Sequence, residues 1–456
     1  TGSIVQGNVI SGNGRHGISG SSITADDNVI RGNAIGTNAA GTAALGNGGW
    51  GIDLFGGSGN TVGGSLAADR NVIVDNALGG LWLRGASNTL VRGNVIGLPD
   101  RGNGGDGVRI DGSDNVVSGD PDDRTAPNEI RFNGGDGIRV VTGSGNSLRI
   151  NRVDDNAGLG INLGSDGVTA NDAGDGDAGP NGVQNFPELE SATGDGGGGV
   201  TIRGVLNTLA ENAAWIDFFH SPSCDASGHG EGLMWFGALG PIDTGAGLVD
   251  FSSGITFLGV GVPDGASVTA IATLGDGSTS EFSACVGVQT SVVAVDLAPV
   301  GAGPFTEVPE DFNGTRGVTV TVIAETPVEV VSMTLDGLDI GDAETALVGA
   351  RIYPDGGGEA IASGEANVSV DGSVTIPLAA PLASGASYRI VFFVSTSGPA
   401  GEATSHFLLP TTFGYQAAPP GIMVIQGAWV GSDTGDTFPG IETNRVPQIT
   451  VGIKGS

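Results

Sequence analysis

Polar and aromatic side chains recur at a spacing that would bring them into line. Short apolar triplets led by glycine occur at Gly17-Ile18, Gly51-Ile52-Asp53-Leu54, Gly80-Leu81-Trp82-Leu83, Gly107-Val108-Arg109-Ile110, Gly137-Ile138-Arg139-Val140 and Gly160-Ile161-Asn162-Leu163. Aligned on their glycines, they put Ser19, Asp53, Trp82, Arg109, Arg139 and Asn162 at one equivalent outward position. On stacked strands such side chains form a column with neighbours about 4.8 Å apart. An aromatic face beside two arginines and a carboxylate suits a sugar ring with acidic substituents, the ring covering C–H groups and the guanidinium forks taking carboxylates. Asp53, Trp82, Arg109, Asp111 and Arg139 are therefore the candidate ligand-binding set, with Asp53 and Asp111 the carboxylates available for acid or base work. A second reading competes. Asp106-Gly-Val-Arg109 and Asp136-Gly-Ile-Arg139 are one phrase used twice, so each arginine can simply pair with a neighbouring aspartate. No catalytic residue is assigned: the repeats contain no lysine, arginine almost never gives up its proton, and His16 reads as an exposed loop histidine.

A second constellation is acidic. Asp166, Asn171, Asp172, Asp175, Asp177 and Asn181 fall within a glycine-rich stretch, 166–185. Carboxylates and amides this close together can wrap calcium with oxygens, although the spacing is not that of a helix-loop-helix site; a solvated linker is the alternative. Cys224 and Cys285 are the only cysteines, and a single pair in a β-rich segment reads as a disulfide formed outside the cytoplasm. His220 and His229 lie near Cys224 and faintly suggest zinc, but the cysteine has the better use in that bridge.

The elements that must position these residues follow from a second repeated phrase, Asn-x-(Val/Ile/Leu). It occurs at Asn8, Asn28, Asn33, Asn60, Asn71, Asn88, Asn94, Asn115, Asn128, Asn146 and Asn151. The glycine-led triplets return every 23 to 34 residues, so each period is one unit that buries its apolar face only by stacking on the next. β-branched residues alternate with polar ones, giving one side chain in and the next out. Stacked asparagines are expected to bond to each other from coil to coil, and the 85 glycines fit the corners. This is the pattern of a parallel β-helix over residues 1–165.

From Asn28-Val-Ile-Arg-Gly-Asn-Ala-Ile-Gly-Thr37 through Gly41-Thr-Ala-Ala-Leu-Gly-Asn-Gly-Gly-Trp-Gly-Ile52, Asn60-Thr-Val-Gly-Gly64 and Arg70-Asn-Val-Ile73, the chain resembles bacterial secreted right-handed β-helix repeat proteins of the CSLREA-associated type. The likeness continues through Asn171–Pro187 to Ser280-Glu-Phe-Ser-Ala-Cys285, about three fifths of the chain. It implies a right-handed coil and an extracellular setting, but no reaction. The CSLREA segment is not in this sequence, and because Thr1 lies in mid-repeat the chain is expected to be processed or truncated.

Composition narrows the function. A net charge of −32, with Lys454 the one lysine, excludes nucleic acid as a partner, since a phosphate backbone needs a cationic face. No apolar run reaches a membrane span. After the repeats, alternating segments such as Val200–Leu206, Trp215–Phe219 and Ser267–Thr273 predict an immunoglobulin-like β-sandwich over 186–288. A linker at 289–299 and a jelly-roll-like sandwich over 300–456 are expected to follow. The fold class is all-β: a right-handed parallel β-helix followed by two β-sandwich domains. The expected function is a bacterial cell-surface structural or adhesive rod whose partners are cell-surface components or further copies of itself, stacked head to tail where open coil edges meet. The alternative is a polysaccharide-binding or polysaccharide-cleaving protein.

Overall fold

A computed structural model describes residues 2–290 apart from 21, 23, 120–124, 165–166, 195–197 and 211, and beyond residue 291 the strands with a few adjoining positions. The chain divides into two compact units: Thr1–Gly194 together with Gly198–Gln289, and the remainder.

The first unit begins as a parallel β-helix with three sheets. The first sheet stacks Ile4–Gln6, Val29–Arg31, Thr61–Gly63, Leu90–Arg92 and Val116–Val117. The second stacks Val9–Ile10, Ala34–Ile35, Val72–Ile73, Val95–Ile96, Glu129–Arg131 and Arg152–Asp154. The third runs Ile18–Gly20, Trp50–Phe55, Gly79–Arg84, Val108–Asp111, Ile138–Thr142 and Ile161–Leu163. Neighbouring strands in each are parallel. Alternation puts Ile30, Val62 and Val91 of the first sheet, Ile35, Ile73, Ile96 and Ile130 of the second, and Ile52, Leu81, Val108 and Ile138 of the third into one continuous core. The glycine that leads each third-sheet strand has a steric cause. A Cβ on Gly107 would stand 2.5 Å from the Ile130 side chain and 2.7 Å from the Gly137 carbonyl oxygen, so this corner closes only around hydrogen.

Asparagine ladders run up the corners. Along one, Asn8, Asn33, Asn71, Asn94, Asn128 and Asn151 each donate an amide N–H to the Oδ1 of the next, at 2.9 to 3.2 Å. A second joins Asn13, Asn47, Asn76, Asn103, Asn133 and Asn156 at 2.8 to 2.9 Å, the backbone N–H of most rungs using the same acceptor. The third is interrupted. Asn28 donates to Asn60, but the next rung is Thr89 rather than Asn88, and the buried Nδ2 of Asn60 has no acceptor among the described residues. It resumes from Asn115 through Asn146 to Asn181. Asn88 takes a left-handed backbone conformation instead, with its amide donating to Ser58.

The far end of the coil is closed by the antiparallel sheet that follows it. That sheet has eight strands, among them Val200–Asn207, Ala213–Ser221, Met234–Asp243 and Ser267–Leu274, wrapped around Ile202, Leu206, Ile216, Phe218, Val268 and Ala272. Phe219, Ile271 and Phe282 leave that core and join the core of the coil. The last turn donates to the sheet: Leu148 N–H to Thr279 Oγ1 at 3.0 Å, Val153 N–H to the Gly232 carbonyl at 3.0 Å and Leu163 N–H to Glu281 Oε1 at 2.9 Å. Glu231 completes the second ladder, its two carboxylate oxygens accepting from Asn156 N–H at 3.1 Å and Asn156 Nδ2 at 2.8 Å. Arg149 reaches from the coil to the fully buried Asp217, with Nε and Nη2 donating at 2.6 and 3.1 Å. Head-to-tail stacking of coils at this end would compete with that sheet for the Leu148, Val153, Asn156 and Leu163 donors, which are already bonded.

The second unit is also antiparallel β. A six-stranded sheet orders Ala362–Val368, Thr345–Pro354, Ser387–Ser397, Gly314–Val322, Met423–Gly431 and Ile441–Thr443. A four-stranded sheet holds Val292–Asp296, Ile449–Lys454, Val328–Leu338 and Gly372–Leu382. Val292–Asp296, expected in the linker, is thus a strand, paired with Ile449–Lys454. Among the described residues the only helices are single 3-10 turns at Ala67–Asp69 and Pro180–Val183.

Candidate functional site

The third sheet aligns the outward column in the expected register: Ser19 beside Asp53, then Trp82, Arg109, Arg139 and Asn162. One step along the strands a parallel column carries Phe55, Arg84 and Asp111. The two columns are bonded to each other. Arg84 donates Nε and Nη2 to the two oxygens of Asp53 at 3.2 and 2.7 Å, and Asp53 is only 1% exposed. Trp82 Nε1 donates to Asp111 Oδ2 at 2.7 Å, while Arg109 Nε lies 3.5 Å from the other oxygen. Arg139 Nη1 stands 3.8 Å from Asp136, which also accepts from Asn162 Nδ2 at 2.9 Å and Leu159 N–H at 2.8 Å. Burial pushes the Asp136 carboxyl up, further raised by Asp106 and held back by those donors and Arg139.

The indole that reads as a sugar platform is crowded on this face. The guanidinium carbons of Arg84 and Arg109 lie 4.7 and 5.6 Å from the Trp82 ring centre, and the Trp50 ring is 5.5 Å away. Trp50 reaches it across Gly79, where a Cβ would fall 2.2 Å from the Trp50 ring. Asp53, Asp111 and Arg109 are likewise held by neighbours on the sheet. Charge pairing within the strip, one of the two readings of the sequence, is what the geometry contains.

At the first-coil end the columns border a cleft of about 390 Å³ lined by Arg15, His16, Ser19, Asp53, Phe55 and Arg84. The imidazole there is oriented: Nδ1 accepts the Trp50 N–H at 3.1 Å, and Nε2 lies 3.7 Å from Asp53 Oδ2. Nε2 is consequently the proton-bearing nitrogen of the neutral ring. His16 reads in the sequence as a loop residue, and Arg15, Phe55 and Arg84 are not among the candidates the sequence offers. The signal was present in the alternation, since Phe55 and Arg84 are two residues beyond Asp53 and Trp82.

The acidic stretch separates into two places. The carboxylates of Asp172, Asp175 and Asp177 offer oxygens within 4.8 Å of one another. Asp175 is buried, accepting from Asn185 N–H at 2.8 Å and Thr208 Oγ1 at 3.1 Å. Its carboxyl is pushed up by burial, with Asp172 and Asp177 adding to the rise. The buried Oδ1 of Asp172 has no partner among the described residues. Asn171 turns away to exchange two hydrogen bonds with the backbone of Phe186. Asn181 is not with them: it is the last rung of the third ladder, its Oδ1 accepting from Asn146, so it is a structural residue rather than a ligand. Asp166 lies outside the described residues.

Cys224 and Cys285 form a disulfide with a Cα–Cα distance of 6.0 Å. His229 Nδ1 lies 3.2 Å from the Phe282 carbonyl oxygen, and burial lowers the His220 imidazole. Among the described residues no helix is long and apolar enough to cross a membrane.

No protein-family model matches the chain, and no curated protein matches its sequence. Among solved structures it is similar to infectious bursal disease virus, Gx strain, at 12% identity and a TM-score of 0.17, covering 59% of this chain and 62% of that one. It is similar to the VP2 subviral particle of that virus at 11% identity and a TM-score of 0.18, covering 60% and 62%. The enzymatically active domain of tailspike protein 4 from bacteriophage CBA120 matches at 12% identity and a TM-score of 0.13, covering 90% of this chain and 55% of that one. The chain spans less than two thirds of each. Likenesses this distant assign no activity; the class is set by the topology alone, a parallel β-helix with an antiparallel sheet closing its far end.

Proposed function

We propose that this chain is a bacterial extracellular structural protein of the CSLREA-associated β-helix kind, a stiff rod that carries β-sandwich modules for attachment to cell-surface components. One observation carries the reading: the polar strip along the third sheet spends its charges on itself, Asp53 on Arg84, Asp111 on Trp82 and Arg109, Asp136 on Asn162 and Arg139. A catalytic carboxylate must be free to exchange a proton with substrate, whereas Asp53 is sealed under a two-pronged arginine. The disulfide fits an oxidising compartment. Calcium at Asp172, Asp175 and Asp177 belongs to the same proposal, as a brace for the loop that leads from the coil into the sheet.

The test is an assay for new reducing or unsaturated ends on a panel of neutral and acidic polysaccharides, run beside adhesion of the purified chain to bacterial cell walls. Adhesion without cleavage supports the scaffold. Cleavage that disappears in Asp53→Asn or Asp111→Asn overturns it in favour of the polysaccharide-cleaving alternative.

A further inference from the structure

We infer that the cleft on the first three coils is a binding site for an acidic saccharide, its carboxylate seated between Arg15 and Arg84 and its ring lying on Phe55. This goes beyond the scaffold reading, which requires no ligand.

In the strip toward the far end, each arginine of the outward column stands near a carboxylate of its own sheet. In the cleft Arg84 keeps that rule through Asp53, and Arg15 is the arginine that departs from it. Arg15 is exposed and has no acidic partner among the described residues, in a chain whose net charge is −32. Arg84 spends Nε and Nη2 on Asp53, which leaves Nη1 without an acceptor among the described residues. Asp53 is buried beneath that guanidinium, so it fixes the fork without presenting its own charge to the opening. The lining therefore carries two arginines against one buried aspartate, with the imidazole of His16 directing Nε2 toward the same carboxylate.

The floor has the second property a sugar needs. The Arg84 guanidinium carbon lies 4.5 Å from the Phe55 ring centre and covers one side of it, yet Phe55 remains 38% exposed, unlike the Trp82 indole that is packed by two arginines and Trp50, so an apolar surface adjoins the cationic one. Aromatic rings accept the C–H face of a pyranose while guanidinium donors take an acidic substituent. The exposed Ser19 hydroxyl on the rim supplies a polar group for a ring hydroxyl. A cleft of about 390 Å³ falls within the usual range of small-ligand sites.

Calorimetric titration of the full chain with a galacturonate trimer, and separately with its methyl ester, tests this. Saturable binding of the acid and none of the ester is expected. Arg15→Ala should weaken the acid about tenfold, the loss of one charge-assisted hydrogen bond. It removes an exposed side chain with no partner among the described residues and keeps the backbone carbonyl that accepts from Gly49, so the fold stays intact, and circular dichroism verifies that. Phe55→Ala should weaken binding as well. Arg70→Ala makes the same change in net charge near Glu129, away from the cleft, and should leave binding unaltered. Absence of saturable binding by the acid, equal binding of acid and ester, or equal weakening by Arg70→Ala and Arg15→Ala would each overturn the inference.

Discussion

Replacing Glu231 with glutamine should make the first unit more stable in mild alkali. Glu231 is 4% exposed and terminates an asparagine ladder, and burial pushes its carboxyl up from 4.5 to about 8 against the opposing pull of the two Asn156 donors. The folded chain therefore keeps this proton over a pH range in which the unfolded chain has lost it. The resulting stabilisation is complete below about pH 4.5 and disappears as pH rises through about 8. A displacement of that size corresponds to about 5 kcal/mol. Glutamine keeps the shape and one acceptor without a charge to bury, so the variant lacks this slope. Urea unfolding followed by tryptophan fluorescence at about pH 5 and about pH 9 measures the effect, and subtracting variant from wild type cancels the general repulsion of so acidic a chain. The difference between the two proteins should change by about 4 kcal/mol across that range, because the unfolded carboxyl is already largely ionised at about pH 5, and the change favours glutamine at the higher pH. Parallel curves, differing by less than about 1 kcal/mol at both ends, would refute the assignment of a buried, proton-retaining carboxyl at this junction.

Other outcomes follow from single contacts. Thr89→Asn restores the missing rung between Asn60 and Asn115 and should raise stability by about 1 kcal/mol in the same unfolding assay. Reduction of the Cys224–Cys285 bridge frees a 61-residue separation and should cost up to about 4 kcal/mol, read as a lower unfolding midpoint in reductant. Arg149→Ala leaves the buried Asp217 without its main cation and should destabilise the first unit by about 3 to 5 kcal/mol, measured by thermal unfolding. Calcium at a hundredfold excess over its dissociation constant should stabilise the wild type by about 2.7 kcal/mol and Asp175→Asn far less, measured by calorimetric melting.

Local repetition made the coil readable. Val95-Ile96 and Val72-Ile73 advertise their pairing because both follow a ladder asparagine and both alternate about the same core. Two parts of the ladders were harder to see. Asn47, Asn76, Asn103, Asn133 and Asn156 lie ahead of the glycine-led strands rather than in the Asn-x-(Val/Ile) phrase, although the interval to each glycine is constant. Asn88 imitates a rung while Thr89 occupies it, since a one-residue shift in register exchanges inside for outside. The closure of the far end left no local trace. Its contacts join Asn156 to Glu231 and Gly145 to Ser278, 75 and 133 residues apart, and nothing in a period of about 30 residues encodes a partner outside the repeat. The column Ser19 to Asn162 followed from alternation, but its internal pairing depended on side-chain reach across two columns. Asn181 lay among aspartates in sequence and among asparagines in space.

The last turn of the parallel coil is hydrogen-bonded to the sheet that follows. Hydrogen exchange resolved to single amides measures this directly. Leu148, Val153, Asn156 and Leu163 should exchange as slowly as mid-coil amides such as Val95 and Val108. Exchange at those four last-turn amides far faster than at Val95 and Val108 would contradict a closed far end.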